Sequence, residues 1–184
     1  KTVFNEPGIY DLEVVLPNTT ASLPIQVFER TEIKVPLQGQ KFPSIKTATT
    51  LDPLDLDQLC TRAEQCPFHA TSAAKLLEEK KPFALLVATP AFCATAYCGP
   101  VLETLISVSR KYSEMEYVHC EVYANSAEVS GNFEDPRLIK SQAVNDLNLN
   151  FEPSLFIVNS EGILAERLDN IFDEAELLES LSKI

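Results

Sequence analysis

Basic residues are scarce in this chain: 15 Lys and Arg stand against 27 Asp and Glu, a formal net charge of −12. Nucleic acid and anionic membrane surfaces both reward basic patches, and no basic stripe is present, so neither is expected as a partner. Long apolar runs are missing as well. The longest, around Ala84 to Ala88, falls far short of the roughly 20 residues that a spanning helix needs, so no membrane-spanning segment is expected. A leading methionine is also lacking. The sequence opens at Lys1 and passes directly into strand-like residues, as expected of a mature or trimmed form with a leader or anchor upstream.

What is present is ordinary globular composition, 45% hydrophobic and 23% charged over 184 residues, enough for one good core and a small extra module. Four of the five cysteines fall into two close pairs, Cys60 with Cys66 and Cys93 with Cys98. Such pairs fit an oxidising compartment better than the cytosol, so an extracytoplasmic setting is expected: secreted, periplasmic or anchored on the outer face of a membrane.

Residues 1–36 are β-rich. Gly8 to Leu16 alternates in part, Pro17-Asn18-Thr19-Thr20 turns, and Leu23 to Phe28 runs extended, which together predict a hairpin. Two strands alone are marginal in water, so the hairpin needs a packing partner. The phrase Pro7-Gly8-Ile9-Tyr10-Asp11-Leu12-Glu13-Val14 resembles the closing strands of an immunoglobulin-like sandwich, of which this segment would be a remnant. From Val35 to Asp57, four prolines and glycines (Pro36, Gly39, Pro43, Pro53) interrupt any period and predict an extended segment draped over a second domain at 37–184.

The second domain carries the chemistry. Phe83 to Ala88 is an apolar run bounded by Pro82 and Pro90, suited to a strand buried on both faces. Cys93 and Cys98 follow it directly, before the helical spacing of Val101, Leu102, Leu105, Ile106 and Val108. A cysteine at such a strand-to-helix turn gains from the unpaired N–H groups and positive dipole end of the helix, which stabilise thiolate. Upstream, Thr71 or Ser72 caps a helix through Lys80. Downstream, Glu116 to Tyr123 is a strand, Asn125 to Asp135 a loop and Pro136 to Leu147 a helix. Phe151 to Asn159 and Ile163 to Arg167 form an antiparallel hairpin about Ser160-Glu161-Gly162, and Asp173 opens a final helix.

Cys60 and Cys66 are expected to form a small structural disulfide rather than a metal site. The local ligands stop at Cys60, Cys66 and His69, and zinc takes four. His69 is taken as a loop histidine with a local partner, Cys120 as an inert core thiol, and His119 is given no role. No metal or cofactor is expected.

With the order β-α-β-α-β-β-α and a cysteine pair at the first strand-helix turn, residues 82–184 resemble the thioredoxin superfamily, and Gln38-Gly39-Gln40-Lys41-Phe42-Pro43 resembles the opening loop of its extracytoplasmic and peroxiredoxin-like branches. The resemblance implies an α/β fold with a central mixed sheet flanked by helices. It also implies thiol–disulfide exchange on partner proteins through Cys93 and Cys98, with Pro153 as the cis-proline of the substrate groove. Four residues separate the cysteines where the family usually has two, and the family's buried acid on the preceding strand is replaced by Val87, Ala88 and Thr89. In an alternative register, Tyr97-Cys98-Gly99-Pro100-Val101 matches the family signature and Cys98 attacks; Cys93 is preferred because the apolar strand ends near Thr89. Two other functions remain: a binding module in which Cys93 and Cys98 form a permanent bridge, and a copper chaperone using the two cysteines with His119.

Overall fold

The computed structural model describes residues 3–129 and 132–184 and divides into two units, one ending at Val35 and the other starting at Pro36. In the first unit, β1 (Gly8–Leu16) and β2 (Thr19–Val27) pair antiparallel, with Leu12 opposite Leu23 and Val14 opposite Ala21. Alternation puts Tyr10, Leu12 and Val14 on one face with Ile25, Leu23 and Ala21, and Asp11 and Glu13 on the other.

The second unit is mixed α/β. Its elements are α1 (Ala73–Glu78), β3 (Phe83–Val87), α2 (Cys98–Ser109), β4 (Glu116–Cys120), α3 (Gln142–Asp146), β5 (Ser154–Val158), β6 (Leu164–Asp169) and α4 (Glu174–Leu181). The four strands lie in the order β4-β3-β5-β6; β3 runs parallel to β4 and antiparallel to β5, which pairs antiparallel with β6. Every residue of β3 and β5 is buried, which is why the sequence shows two short uninterrupted apolar runs and no alternation. Ala84 and Leu86 of β3, with Leu155 and Ile157 of β5, share one core cluster with Leu102, Leu105 and Ile106 of α2 and Leu177 and Leu181 of α4. On the opposite face, Phe42 stacks against Phe83 and Phe156 with ring centroids 5.9 and 5.4 Å away. Residues 39–42 are bound in turn to the end of β6: the Gly39 N–H donates to the Leu164 carbonyl, and the Leu164 N–H to that of Gln40.

The caps follow the sequence. Ser72 Oγ accepts from the Lys75 N–H at the start of α1, and the Asp173 carboxylate accepts from the Glu176 N–H at the start of α4. Two expected elements come out shorter. The strand predicted to run to Tyr123 stops at Cys120, and the helix predicted from Pro136 begins only at Gln142. Both have one cause. Residues 122–125 and 137–141 bond to each other, through the Ala124 N–H to the Ile139 carbonyl, the Ser141 N–H to the Val122 carbonyl and the Asn125 amide to both Arg137 and Ile139. Bonding of this kind, backbone and Asn125 side chain together, takes up N–H and C=O groups that a helix or a ladder would use. Of the loop expected over 125–135, residues 130 and 131 lie outside the described residues, as do residues 1 and 2 of the β-rich segment. Among the described residues, no helix is long and apolar enough to cross a membrane.

Candidate functional site

Cys93 and Cys98 come together at the carboxyl end of β3. The chain leaves the strand at Val87, turns back where the Ala96 N–H donates to the Cys93 carbonyl (3.3 Å), and places Ala96 in the left-handed region at φ 60°. That reversal absorbs the four intervening residues. Cys98 becomes the first residue of α2, and its backbone N–H donates to Cys93 Sγ at 3.3 Å. Pro100 fits the first helical turn because no partner for its missing N–H is needed there.

The two sulfurs have different surroundings. Cys93 is half-buried, and its Sγ lies 3.3 Å from Thr95 Oγ1; Cys98 is fully buried. Burial works against a Cys93 thiolate, but hydrogen bonds from the Cys98 thiol, the Thr95 hydroxyl and the two backbone N–H groups outweigh it and hold Cys93 below the ordinary thiol range. Burial, then the adjacent Cys93 and the charge of Glu152, push Cys98 upward. One thiol is therefore set to be a nucleophile and the other to stay protonated.

Glu152 is a functional candidate that the sequence reading did not pick out. It is raised above the usual carboxylate range by its own half-burial, against the pull of Lys140, and it precedes Pro153 through a cis peptide bond. Its charge is felt at Cys98, and its raised affinity for a proton makes it a candidate proton acceptor there.

Cys60 and Cys66 stand as free thiols and not as the expected disulfide, and they do not stand alone. The ligand atoms of Cys60, Cys66, His69 and His119 all lie within 4.8 Å of one another, and all four residues are buried. Cys66 Sγ is 3.2 Å from His69 Nε2 and 3.4 Å from His119 Nδ1, and the two ring nitrogens are 3.4 Å apart. His119, assigned no role from sequence, is the fourth member. The copper trio of Cys93, Cys98 and His119 is thus not what the fold assembles around His119.

β4 explains the gathering. It is an edge strand, and its outward N–H at His119 donates to the Phe68 carbonyl at 3.0 Å, which draws Cys66 and His69 alongside. The Thr50 N–H bonds the His69 carbonyl from the other side. His119 Nε2 lies 3.0 Å from the Ala88 carbonyl, which can only accept, so Nε2 carries a proton and Nδ1 faces Cys66 and His69. Among the described residues His69 Nδ1 has no hydrogen-bond partner, while its Nε2 meets Cys66 and His119.

A short hydrogen-bonded chain joins the two cysteine sites. Thr61, next to Cys60, donates from its backbone N–H (2.8 Å) and its hydroxyl (3.0 Å) to Oε2 of the buried Glu121, and its Oγ1 accepts from the Ala91 N–H at 3.1 Å. Arg62 reaches the other way, to Glu103 on α2. Cys120, as expected, is a buried thiol. Burial first, then the charge of Glu121, push it up to about 12, and its S–H faces the Glu121 carbonyl. No protein-family model matches the chain, and no curated protein matches it.

Proposed function

We propose that the chain is an extracytoplasmic, thioredoxin-like thiol–disulfide exchange protein in which Cys93 attacks and Cys98 resolves. The observation that carries this reading is the 3.3 Å hydrogen bond from the Cys98 N–H to the Cys93 sulfur, which offers a half-exposed thiolate at a helix start beside a buried second thiol. The Cys93 thiolate attacks one sulfur of a partner disulfide. That S–S bond breaks, its electron pair leaves with the distal sulfur, and a Cys93–partner mixed disulfide remains. Cys98 then gives up its proton, with Glu152 as the acceptor, and attacks Cys93 Sγ. The partner's second sulfur is released as a thiol, so the partner is reduced by two electrons and the Cys93–Cys98 pair is oxidised by two.

Trapping tests the order of attack. In a Cys98→Ser protein mixed with a disulfide-containing protein substrate, a mixed disulfide through Cys93 should accumulate, because nothing resolves it. Cys93→Ser should trap nothing. Accumulation through Cys98 in the Cys93→Ser protein would assign the attack to Cys98, and trapping by neither variant would leave a pair that does not exchange.

A further inference from the structure

We propose that Cys60, Cys66, His69 and His119 form a closed tetrahedral zinc site that pins residues 60–69 to the edge of β4. The proposal is independent of the redox reading, since neither Cys93 nor Cys98 takes part in it. Four nitrogen and sulfur donors are what a structural zinc site uses, and with thiolate legs of about 2.3 Å and imidazole legs of about 2.0 Å a tetrahedron has edges of about 3.3–3.8 Å. Two of the separations among Cys66, His69 and His119, 3.4 and 3.4 Å, lie at the short end of that range and the third, 3.2 Å, falls just below it, while Cys60 Sγ stays within 4.8 Å of all three.

Three further features fit an ion better than a set of bare side chains. Exposures of 4, 3, 2 and 1% for Cys60, Cys66, His69 and His119 leave no donor to solvent, which suits a closed structural site and not a catalytic one with an open position. His119 is set by the Ala88 carbonyl on its far nitrogen, the outer-shell bond by which zinc-ligating histidines are oriented. A surface hollow lined by Gln65, Cys66, Pro67, His69 and Ala70 gives an ion a way in from outside.

The position gives the ion a task. Residues 60–69 contain no helix or strand, yet through Thr61 they hold Ala91, two residues before Cys93, and through Arg62 they hold α2. An ion at their two ends fixes a segment that otherwise has only scattered bonds. A zinc-loaded chain therefore keeps the loop carrying Cys93 in register, and zinc loss loosens it.

The test uses the full chain, purified under reductant without chelator. Metal analysis should find about one zinc per chain in the wild type and in Cys93→Ser, and less than about a tenth of that in Cys66→Ser and His119→Ala. Should those two variants fail to fold, exchange of the wild-type ion for Co²⁺ decides. Intense visible ligand-field bands of tetrahedral cobalt, with near-ultraviolet thiolate-to-cobalt charge transfer, are expected. The proposal is overturned if fully reduced wild type binds neither zinc nor cobalt at equimolar concentration, if cobalt shows only the weak spectrum of six-coordinate oxygen ligation, or if Cys66→Ser and His119→Ala bind zinc as well as the wild type.

Discussion

Thr61 is the joint between the two cysteine sites, and Thr61→Val removes its hydroxyl at nearly constant volume. The backbone N–H of residue 61 continues to reach Glu121 Oε2, so what is lost is the 3.0 Å bond from Oγ1 to that carboxylate and the 3.1 Å bond that Oγ1 accepts from the Ala91 N–H. A hydrogen bond to a charged group contributes about 1.5–3 kcal/mol and a neutral one about 1 kcal/mol. Burial pushes Glu121 up toward its neutral form, which weakens the first contribution, and the Ala91 side of the bond is near solvent, where water replaces it in part. A net loss of about 2 kcal/mol follows, and for a chain of this size each kcal/mol moves the melting temperature by about 2–4 °C. Thr61→Val should therefore melt about 4–8 °C below the wild type, while Thr61→Ser, which keeps the hydroxyl, should stay within about 2 °C. Differential scanning calorimetry on both variants measures this. Cys93 should also alkylate faster in Thr61→Val, since the anchor two residues before it is gone. If Thr61→Val melts with the wild type, or Thr61→Ser falls as far as Thr61→Val, the hydroxyl is not the joint.

Three other outcomes are expected. Because Cys93 is held below the ordinary thiol range, the pH profile of its alkylation by iodoacetamide should rise with a midpoint below the usual value of about 8.5, and Cys98, pushed the other way, should not label in the folded chain; a Cys93 midpoint at or above the usual value would contradict the contacts that Thr95 and Cys98 make. Glu152→Gln removes the acid felt at Cys98, so stopped-flow mixing with a disulfide substrate should show the first attack unchanged and the resolving step slowed by about 10-fold or more, as loss of a general base does; equal rates in both steps would remove Glu152 from the mechanism. Lys80 closes α1 at φ 54°, with its N–H on the Leu77 carbonyl and the Lys81 N–H on the Leu76 carbonyl; glycine takes this conformation without strain, so Lys80→Gly should raise stability by about 0.5–1 kcal/mol in a urea titration, and a loss would show that the lysine side chain matters more than the backbone.

Much of the second unit was legible because its signals are local. The apolar run between Pro82 and Pro90 is short enough to suit a doubly buried strand, and a cysteine pair that follows such a strand and precedes a helical period lies on the turn between them. Asp173 announces α4 through a bond to an N–H three residues on, and Gly162 takes positive φ in the turn between β5 and β6. The Cys60–His69 segment failed for the opposite reason. Its three local ligands were visible, but the fourth, His119, lies 50 residues beyond His69 and arrives only because the free edge of β4 bonds Phe68. Nothing in the spacing of Cys60, Cys66 and His69 encodes that pairing. Glu121 and Glu152 were equally silent, since a carboxylate in sequence looks solvent-bound until burial sets it apart. The helix expected from Pro136 was lost to Asn125, whose amide bonds residues 137 and 139 from another part of the chain.

The measurement that bears most directly on Cys93 and Cys98 is the oxidation state of that pair across glutathione buffers of graded potential, read by thiol trapping and peptide mass mapping. Exchange activity requires a midpoint in the range of working dithiols, between about −120 and −270 mV, with Cys93 the first sulfur to be modified on reduction. A pair that stays oxidised below about −300 mV, with Cys93 inert toward added disulfides, would instead be a permanent bridge.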